Sequence, residues 1–511
     1  MILEMLRKRA QSSDVCAVDI HGNRMTFKML HERSDALASY FLKTLEPKAK
    51  VMILGDKENE YLTVMFACLK SGRAYVPLTS SLPKERALFI LKDSEASLVI
   101  SFSDGDLGQK EVPVIKESEL LEIIYEYRKE KVSEESWLSY EGMMALLYTS
   151  GSTGNPKGVM NALGDLENLF LASEEFYIGG HQEKVMNNFS YMFSAHMQHV
   201  YRTMVLMGST LYAVPSEYQK DPEKLLNQYL KIQPEYLGLI ATSCSMLLMD
   251  ERFSASHLPQ LKSIALAGEV CGKELVKEVF RRFPKITVKI QYASTELTTV
   301  AIGCTLTKDA VDELIEERIP LGKAVPSIDA VLVDEEGNLV PEGEKGELVI
   351  FSRRLCDGYY KLEEETKRTF FVTDSGRRGF RTKDLMIKKE GLYYYLGRLD
   401  NRVKIGGNRV ELEEVESALN EEEWIHQSVV RPVVDKEGTV KFLVAYVTLT
   451  STYENRSKLF LDIRKGLKER LPSYMIPQKI IGMDVFPQNS SGKIDRFAMR
   501  LHHEALYSYG K

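Results

Sequence analysis

The sequence predicts an α/β protein with a large N-terminal domain, residues 1–399, and a small α+β C-terminal domain, residues 400–511. Short apolar strands alternate with helices on both sides of a glycine- and hydroxyl-rich loop at residues 149–158, which is typical of a largely parallel sheet covered by helices. Hairpin-like patterns replace this alternation near residue 320. From Gly397 onward the chain becomes dense in charge, and the tail of about 110 residues is long enough for a separate domain.

Apolar spacing, start and stop signals define the individual elements. Helices are predicted at residues 26–42, 60–70, 83–91, 163–175, 222–233, 273–283 and 411–419. Strands are predicted at 51–54, 74–77, 96–101, 209–214, 236–241, 261–267, 287–292 and 393–396. Residues 330–333 and 346–351 flank an acidic turn and predict a β-hairpin.

Composition excludes several classes of function. The 511 residues carry a formal net charge of −6, so there is no basic surface that would indicate nucleic-acid binding. No apolar run approaches the roughly 20 residues that span a bilayer. The six scattered cysteines form no CxxC pair and predict reduced thiols in a cytoplasmic protein. His196 and His199 lie three apart without a third ligand nearby, which argues against a metal site.

The loop at residues 149–158 has the composition of an anion-binding loop. Glycines let backbone N–H groups approach an anion, hydroxyl groups add donors, and Lys157 adds a positive charge. The loop is not a Walker A motif, because Lys157 follows Pro156 and precedes Gly158. Taken alone, a flexible linker explains such a loop at least as well.

Five further stretches gain meaning when they are read together with this loop. They are residues 70–77, 291–296, 381–384, 397–411 and 489–496. In this order and spacing the six stretches resemble the adenylate-forming superfamily, which includes acyl-CoA synthetases and the adenylation domains of nonribosomal peptide synthesis. The resemblance extends from about residue 20 to residue 500 and is closest to free-standing amino-acid adenylating enzymes such as D-alanine–carrier protein ligase; residues 341–347 and 471–477 look like that branch too.

The resemblance implies a reaction that joins a carboxylic acid to ATP, releases pyrophosphate and forms an acyl-adenylate. It implies a barrel-like subdomain within the large domain and a mobile small domain. It also implies that Tyr292 stacks on adenine, that Asp384 accepts the ribose hydroxyls and that Arg398 lies beside ribose and phosphate. The β- and γ-phosphates would be held by the loop residues Thr149, Ser150, Gly151, Ser152, Thr153, Gly154 and Lys157.

The catalytic groups implied by the resemblance lie farther along the chain. Thr295 would bind the α-phosphate, Glu296 would ligate Mg²⁺, which prefers oxygen, and Lys493 would bridge the substrate carboxylate and the α-phosphate. The small domain would turn about Asp400 for a second step. Gly406 and Gly407 would then help to form a tunnel for phosphopantetheine, although a plain hairpin turn explains these two glycines equally well.

The chain departs from this family where the acid binds. The family's substrate-binding aspartate is matched by Ser194, which cannot neutralise a buried ammonium. The implied pocket is roomy and neutral, and it suits an aryl, hydroxy, keto or medium acyl acid at least as well as an amino acid. Its residues are Phe193, Ser194, Ala195, Gln198, Ala241, Ala265, Ala267, Gln291, Thr299 and Val300. His196 is either a hydrogen-bond donor to the acid or a packed core residue.

Two smaller departures spare the functional side chains: residues 293–294 read Ala-Ser where the family has Gly-Pro, and Lys383 stands where it has glycine. Three functions remain open at this point. The first is an enzyme that loads a separate acyl or peptidyl carrier protein, since this chain contains no carrier motif. The second is a synthetase that uses free coenzyme A. The third is a catalytically silent relative that binds nucleotide or a partner, which Lys157, Glu296, Asp384 and Lys493 together disfavour.

Overall fold

The computed structural model describes residues 1–12, 16–20, 22–103, 105, 107–151, 155–170, 183–219, 221–298, 300–314, 318–326, 328–353, 355–451, 455–488 and 494–507. The chain divides into two compact units. The first unit contains Met1–Ser80, Leu91–Tyr148 and Gly158–Leu399, and the second contains Ser81–Ile90, Thr149–Lys157 and Asp400–Lys511. Among the residues described, no helix combines the length and the apolar composition that a membrane crossing needs.

The N-terminal third of the chain alternates strands and helices, as the sequence predicts. Every residue of helix Asn59–Lys70 is buried, and the ammonium of Lys70 is neutralised there because it donates to Asp35 Oδ1 at 2.7 Å. The strands are β1 (Cys16–Ile20), β2 (Asn23–Thr26), β3 (Lys50–Gly55), β4 (Ala74–Thr79), β5 (Leu98–Ser101), β6 (Val114–Lys116), β7 (Met143–Thr149) and β8 (Lys157–Ala162). The helices are α1 (Ile2–Ala10), α2 (Phe27–Thr44), α3 (Asn59–Lys70), α4 (Lys84–Ser94), α5 (Glu117–Glu126) and α6 (Leu163–Phe170).

Strands β3 to β8 form a six-stranded sheet in the order β6-β5-β3-β4-β7-β8. Its pairs β3–β4, β3–β5, β4–β7 and β5–β6 are parallel. Helix α2 begins at a Thr26 cap, whose hydroxyl accepts the N–H of Met29 at 3.1 Å. The helix predicted at residues 163–175 is α6 up to Phe170, and the remainder of that prediction lies outside the described residues.

The next third continues the same pattern with one exception. Its strands are β9 (Lys184–Asn187), β10 (Thr210–Ala213), β11 (Tyr236–Leu239), β12 (Ser263–Ala267), β13 (Thr287–Ala293), β14 (Val300–Leu306) and β15 (Lys323–Ala324). Its α-helices are α7 (Ala195–Met197), α8 (Ser216–Gln219), α9 (Pro222–Ile232), α10 (Ala241–Leu248), α11 (Lys273–Arg282) and α12 (Lys308–Asp312). The exception is a nine-residue π-helix, Gln198–Leu206, which follows α7 directly.

A nine-stranded sheet has the order β15-β14-β13-β12-β11-β9-β10-β1-β2. Its middle strands run parallel from β1 through β13, and β2, β14 and β15 are antiparallel to their neighbours. The parallel strands therefore end at one edge, which is where open α/β sheets place their ligands. Ala241, predicted at the end of a strand, instead begins helix α10.

A five-stranded antiparallel sheet completes the first unit. Its strands are β16 (Asp329–Val333), β17 (Lys345–Phe351), β18 (Phe370–Val372), β19 (Arg378–Lys389) and β20 (Leu392–Arg398), and its helix is α13 (Glu363–Thr369). The predicted hairpin around the acidic turn is confirmed, because β16 pairs antiparallel with β17. Strand β19 carries β17, β18 and β20 as neighbours.

The C-terminal part of the second unit is α+β, as predicted. Its strands are β21 (Arg402–Ile405), β22 (Asn408–Glu411), β23 (Ile425–Val434), β24 (Val440–Leu449) and β25 (Lys479–Gly482), and its helices are α14 (Leu412–Asn420), α15 (Arg456–Arg470) and α16 (Arg496–Tyr507). Strands β23, β24 and β25 form one sheet, and β21 and β22 form a separate hairpin. A core that includes Val415, Leu443 and Leu467, all nearly inaccessible to solvent, joins the sheet to its helices. The predicted fold class, α/β with a large and a small part, is confirmed.

Candidate active site

Three of the predicted nucleotide-binding residues meet in the first unit. Tyr292 lies near the end of β13, and Asp384 and Arg398 face each other across β19 and β20. The Tyr292 hydroxyl donates to Asp384 Oδ2 at 2.5 Å, and Arg398 Nη1 donates to Asp384 Oδ1 at 2.5 Å. Burial, followed by the charge of Asp384, raises the pKa of Tyr292 well above its usual value. The phenol therefore stays protonated and acts as a donor to the Asp384 carboxylate.

The carboxylate of Glu296 is fully buried in a short 3₁₀ helix, Thr295–Leu297, which follows β13. The hydroxyl of Tyr359 donates to Glu296 Oε1 at 2.9 Å and fixes the carboxylate. The residue that follows this short helix, Thr298, has a strained backbone with a φ of 65°. Sequence reasoning did not find Tyr359, since nothing in its local sequence connects it to a residue 63 positions away.

Glu296 provides a single carboxylate for a metal ion. In the described part of the chain, no three His, Cys, Asp or Glu side chains come together as a metal-binding set. Such an arrangement still fits Mg²⁺ in a nucleotide site, because that ion is usually held by one or two carboxylates together with substrate phosphates. Transition metals, which need several protein ligands, fit it poorly.

The glycine-rich loop belongs to the second unit, and its groups bind residues of that unit. Ser150 Oγ donates to the carbonyl oxygen of Arg409 at 2.9 Å, and the Gly151 N–H donates to Glu414 Oε2 at 3.3 Å. The Glu414 carboxylate is fully buried and forms an ion pair with Arg86. The loop thus already holds an anion, a carboxylate, on a backbone N–H group.

Steric and electrostatic constraints shape this loop. A side chain at Gly151 would place its Cβ 2.1 Å from the carbonyl oxygen of Asn155, so only glycine fits. Thr149 Oγ1 is buried, and within the described residues it makes no hydrogen bond. Burial raises the pKa of Glu411 to about 7, while the charges of Arg409 and Lys157 oppose that shift. The predicted loop residues Ser152, Thr153 and Gly154 lie outside the described residues, as does Lys493.

The predicted acid-binding residues come from three places in the first unit. Ala267 and Gln291 are register partners on β12 and β13, and Ala265 lies two residues earlier on β12. Val300 begins β14 beside Ala293. The remaining placements are Phe193 and Ser194 just before α7, Ala195 within it, Gln198 at the start of the π-helix and Ala241 at the start of α10; Thr299 is outside the described residues.

Two polar side chains in this region differ in whether their nitrogen atoms have hydrogen-bond partners among the described residues. His196 is a packed core residue, because its ring nitrogens lie 2.6 Å from the Phe193 carbonyl oxygen and 3.1 Å from the Tyr75 hydroxyl. Burial lowers the pKa of His196 to about 4, so the ring is neutral. Gln198 is 5% exposed, and its Nε2 donates to nothing within the described part of the chain.

The segment after Leu399 contains a hairpin of β21 and β22 in the second unit. Arg402 Nε donates to Asp400 Oδ2 at 2.6 Å. Gly406 and Gly407 have φ values of 56° and 74° and form the two-residue turn between β21 and β22. A hairpin of this type requires two residues with positive φ, which explains both glycines locally.

Two family models and several curated relatives match this chain over most of its length. The family model described as AMP-binding enzyme matches residues 6–360, and the model described as AMP-binding enzyme C-terminal domain matches residues 414–493. The D-alanine--D-alanyl carrier protein ligases of Bacillus cereus (strain Q1) and Bacillus thuringiensis (strain Al Hakam) are each 30% identical to this chain over 498 residues. Those alignments cover 97% of this chain and 98% of each relative.

Solved structures resemble the chain over nearly its whole length. An o-succinylbenzoate CoA synthetase from Bacillus subtilis superposes with a TM-score of 0.81 at 22% identity, covering 97% of this chain and 98% of the other. An adenylation domain from Vibrio cholerae, in complex with glycyl-adenosine-5'-phosphate, superposes with a TM-score of 0.79 at 20% identity, covering 98% and 97%. At these identities the structures establish the fold.

Proposed function

This chain belongs to the AMP-binding enzyme family and is an AMP-forming ligase, and we propose that it activates a small carboxylic acid with ATP and loads it onto a separate carrier protein. In the first step a carboxylate oxygen attacks the α-phosphorus, the bond to the β-phosphate oxygen breaks, and pyrophosphate leaves. In the second step the phosphopantetheine thiolate attacks the acyl carbon and AMP leaves. The relatives that are carrier protein ligases support this acceptor. All six cysteines are free thiols, which supports a cytoplasmic location.

The observation that carries the proposal is the cluster of Tyr292, Asp384 and Arg398. Two carboxylate oxygens are a good match for two neighbouring ribose hydroxyls, each of which donates one hydrogen bond. Tyr292 and Arg398 hold that carboxylate in place, because each donates a hydrogen bond to one of its oxygens. We assign Asp384 to the ribose, the ring of Tyr292 to adenine, and Arg398 to the ribose and phosphate side.

The phosphate groups of ATP are assigned to the glycine-rich loop. Thr149, Ser150, Gly151 and Lys157 supply hydroxyl, backbone and ammonium donors, which is the set of groups that a triphosphate needs. The buried Thr149 hydroxyl, which has no partner among the described residues, supports this role. Ser152, Thr153 and Gly154 are assigned to the same phosphates on the sequence resemblance alone.

The reacting centre is assigned to Thr295, Glu296 and Lys493. Glu296 would hold Mg²⁺, and the ion would neutralise charge on the phosphate oxygens. Thr295, which directly precedes Glu296 in the chain, would donate to the α-phosphate. Lys493 would place its ammonium between the two anions that must meet, and preorganised positive charge there lowers the barrier to their reaction. For the second step we assign Asp400 to the hinge, and Gly406 and Gly407 to the phosphopantetheine tunnel.

The acid itself is assigned to the acids that carry no ammonium group. Ser194 offers no carboxylate for an ammonium, and His196 is neutral and already satisfied inside the protein. Among the residues that the structure describes, the amide nitrogen of Gln198 is a buried donor without an acceptor, and leaving such a group unpaired costs about 1–3 kcal/mol. A substrate whose side group accepts a hydrogen bond, such as a hydroxy, keto or aryl ether acid, would remove that cost.

ATP–pyrophosphate exchange tests the first step. The panel contains D-alanine and glycine, a hydroxy acid, an aryl acid and a medium-chain acid, each with the full-length enzyme and Mg²⁺. We expect exchange with at least one neutral acid and weak exchange with the amino acids. The Lys493→Ala variant should lower exchange by about 100-fold or more.

Matched controls separate this mechanism from the alternatives. Lys468→Ala removes the same charge from exposed α15 and should leave exchange unchanged. A holo-carrier protein and free coenzyme A are then compared as acceptors of the acyl group. Faster transfer to coenzyme A would show that coenzyme A, and not a carrier protein, is the acceptor. No exchange with any acid, or normal exchange in the Lys493→Ala variant, would refute the proposed mechanism.

A further inference from the structure

A cavity of about 540 Å³ lies within the second unit, and the proposed reaction uses none of its lining residues except Asp400. Its walls come from residues 400–403, the end of β23 and the last turns of α16. Much of the lining is apolar. The apolar residues are Val403, Leu412, Pro432, Val433, Val434 and Tyr507. The volume falls within the range of about 300–1,000 Å³ that is typical of small-molecule sites.

The carboxylates that line this cavity are already neutralised. Each of the three forms an ion pair with a lysine or arginine of the same unit. The pairs are Asp400–Arg402 at 2.6 Å, Asp435–Lys441 at 2.8 Å and Glu504–Arg500 at 2.7 Å. The cavity therefore offers no unpaired negative charge to a ligand from these three side chains.

Arg431 differs from Arg402 and Arg500, the two arginines of the lining that form ion pairs. Within the part of the chain that the structure describes, no carboxylate lies within 4.0 Å of its guanidinium. Its Nη2 donates to the carbonyl oxygen of Arg496 at 3.0 Å, and its buried Nε–H makes no hydrogen bond to a described atom. Glu416, the acid with the largest electrostatic effect on Arg431, is bound by both Nη atoms of Arg496.

The environment of Arg431 is unfavourable for an uncompensated cation. Burial lowers the pKa of Arg431, and the positive charge of Arg496 lowers it further, although Glu416 opposes these effects. His503 adds no charge, because its ring bridges the Tyr446 hydroxyl and the Pro432 carbonyl oxygen and its pKa is lowered by burial. A bound anion would neutralise the guanidinium and would give an acceptor to its Nε–H group, which has no partner among the described atoms.

We propose that this cavity binds a small organic anion, with one phosphate or carboxylate group on Arg431 and an apolar body against Pro432, Val434 and Tyr507. A guanidinium presents its donors as a planar fork that matches two oxygens of such a group. The apolar walls displace part of the water around this contact, which strengthens it. The inference stands on the cavity and on Arg431 alone, so it does not depend on the proposed acid or acceptor.

Isothermal titration calorimetry with phenyl phosphate tests this site in the full-length protein. We expect one site per chain that binds phenyl phosphate more tightly than inorganic phosphate or phenol. Benzoate in a parallel titration distinguishes a preference for carboxylate from one for phosphate. In the Arg431→Gln variant the affinity should fall at least about tenfold, because a charged hydrogen bond of about 1.5 kcal/mol or more is lost.

Two further variants make the result decisive. Arg456→Gln removes the same charge from α15, outside the cavity lining, and should bind phenyl phosphate like the unmodified protein. Val434→Trp fills the cavity from a position that is 43% exposed, so folding is preserved while binding weakens. No heat of binding up to about 10 mM phenyl phosphate, equal binding by phenol, or unchanged affinity in both Arg431→Gln and Val434→Trp would overturn the proposal.

Discussion

Replacing Lys383 with glycine should stabilise the protein, although it removes a charged side chain from the edge of the candidate site. Lys383 has a φ of 62° and directly precedes Asp384. Its backbone is held on both sides, since its N–H donates to Glu347 Oε1 at 3.1 Å and its carbonyl oxygen accepts the N–H of Leu399 at 2.9 Å. The structure therefore imposes a left-handed conformation that suits glycine and strains lysine.

The expected magnitude is a balance of three contributions. A left-handed conformation costs an L-residue about 1–2 kcal/mol. Glycine reduces this gain by about 0.5–1 kcal/mol, because it loses more conformational entropy on folding than lysine does. The ion pair between Lys383 Nζ and Glu347, at 3.8 Å with the lysine 43% exposed, contributes about 0.5 kcal/mol at most. The net effect is a stabilisation of about 0.5 kcal/mol.

Urea unfolding of the full-length protein, followed by intrinsic fluorescence, measures this difference. Lys388→Gly is the matched control on the same strand, where no left-handed strain exists to be relieved. That variant also loses the contact of Lys388 Nζ with the Tyr393 ring at 5.3 Å, so it should be destabilised by about 1–2 kcal/mol. Equal destabilisation of both variants would refute the reasoning from strain.

Two further results are expected. Burial lowers the pKa values of His196 and His199 to about 4. Between pH 6.5 and about 4 the unfolded chain therefore binds more protons than the folded chain. As the pH decreases through this range, the free energy of unfolding falls by about 1.4 kcal/mol per pH unit for each histidine. A His199→Gln variant should lose one such contribution, and an unchanged slope of unfolding free energy against pH would contradict this. In exchange assays Glu414→Gln should lower the KM for ATP about threefold or more, because the carboxylate no longer competes with the phosphates of ATP for the Gly151 N–H. Glu413→Gln is the control on the same helix. Equal KM values in the two variants would argue against this competition.

Local patterns were sufficient for most of the fold. Helix α2 follows from apolar spacing over residues 26–42, and the β16–β17 hairpin follows from two strands around an acidic turn. The π-helix at Gln198–Leu206 was not predictable in this way, because its apolar spacing resembles that of an ordinary helix.

The candidate site was predictable to the extent that its residues lie in short motifs. Tyr292, Asp384 and Arg398 come from separate motifs, and the structure brings their side chains into contact. The partners Tyr359, Arg86 and Glu414 carry no such local signal. The Gly151–Glu414 hydrogen bond joins residues 263 positions apart, and only the folded chain brings such residues together.

The carboxylate of Glu414 on the glycine-rich loop has a consequence for ATP binding. In the proposed reaction the loop exchanges one anion for another, and Arg86 remains as the counter-ion of the displaced carboxylate. The net change in charge at the loop is then smaller than the charge of the triphosphate. Screening by salt acts on the difference between the two anions, so the affinity for ATP should vary less with ionic strength than that of a loop with no resident carboxylate.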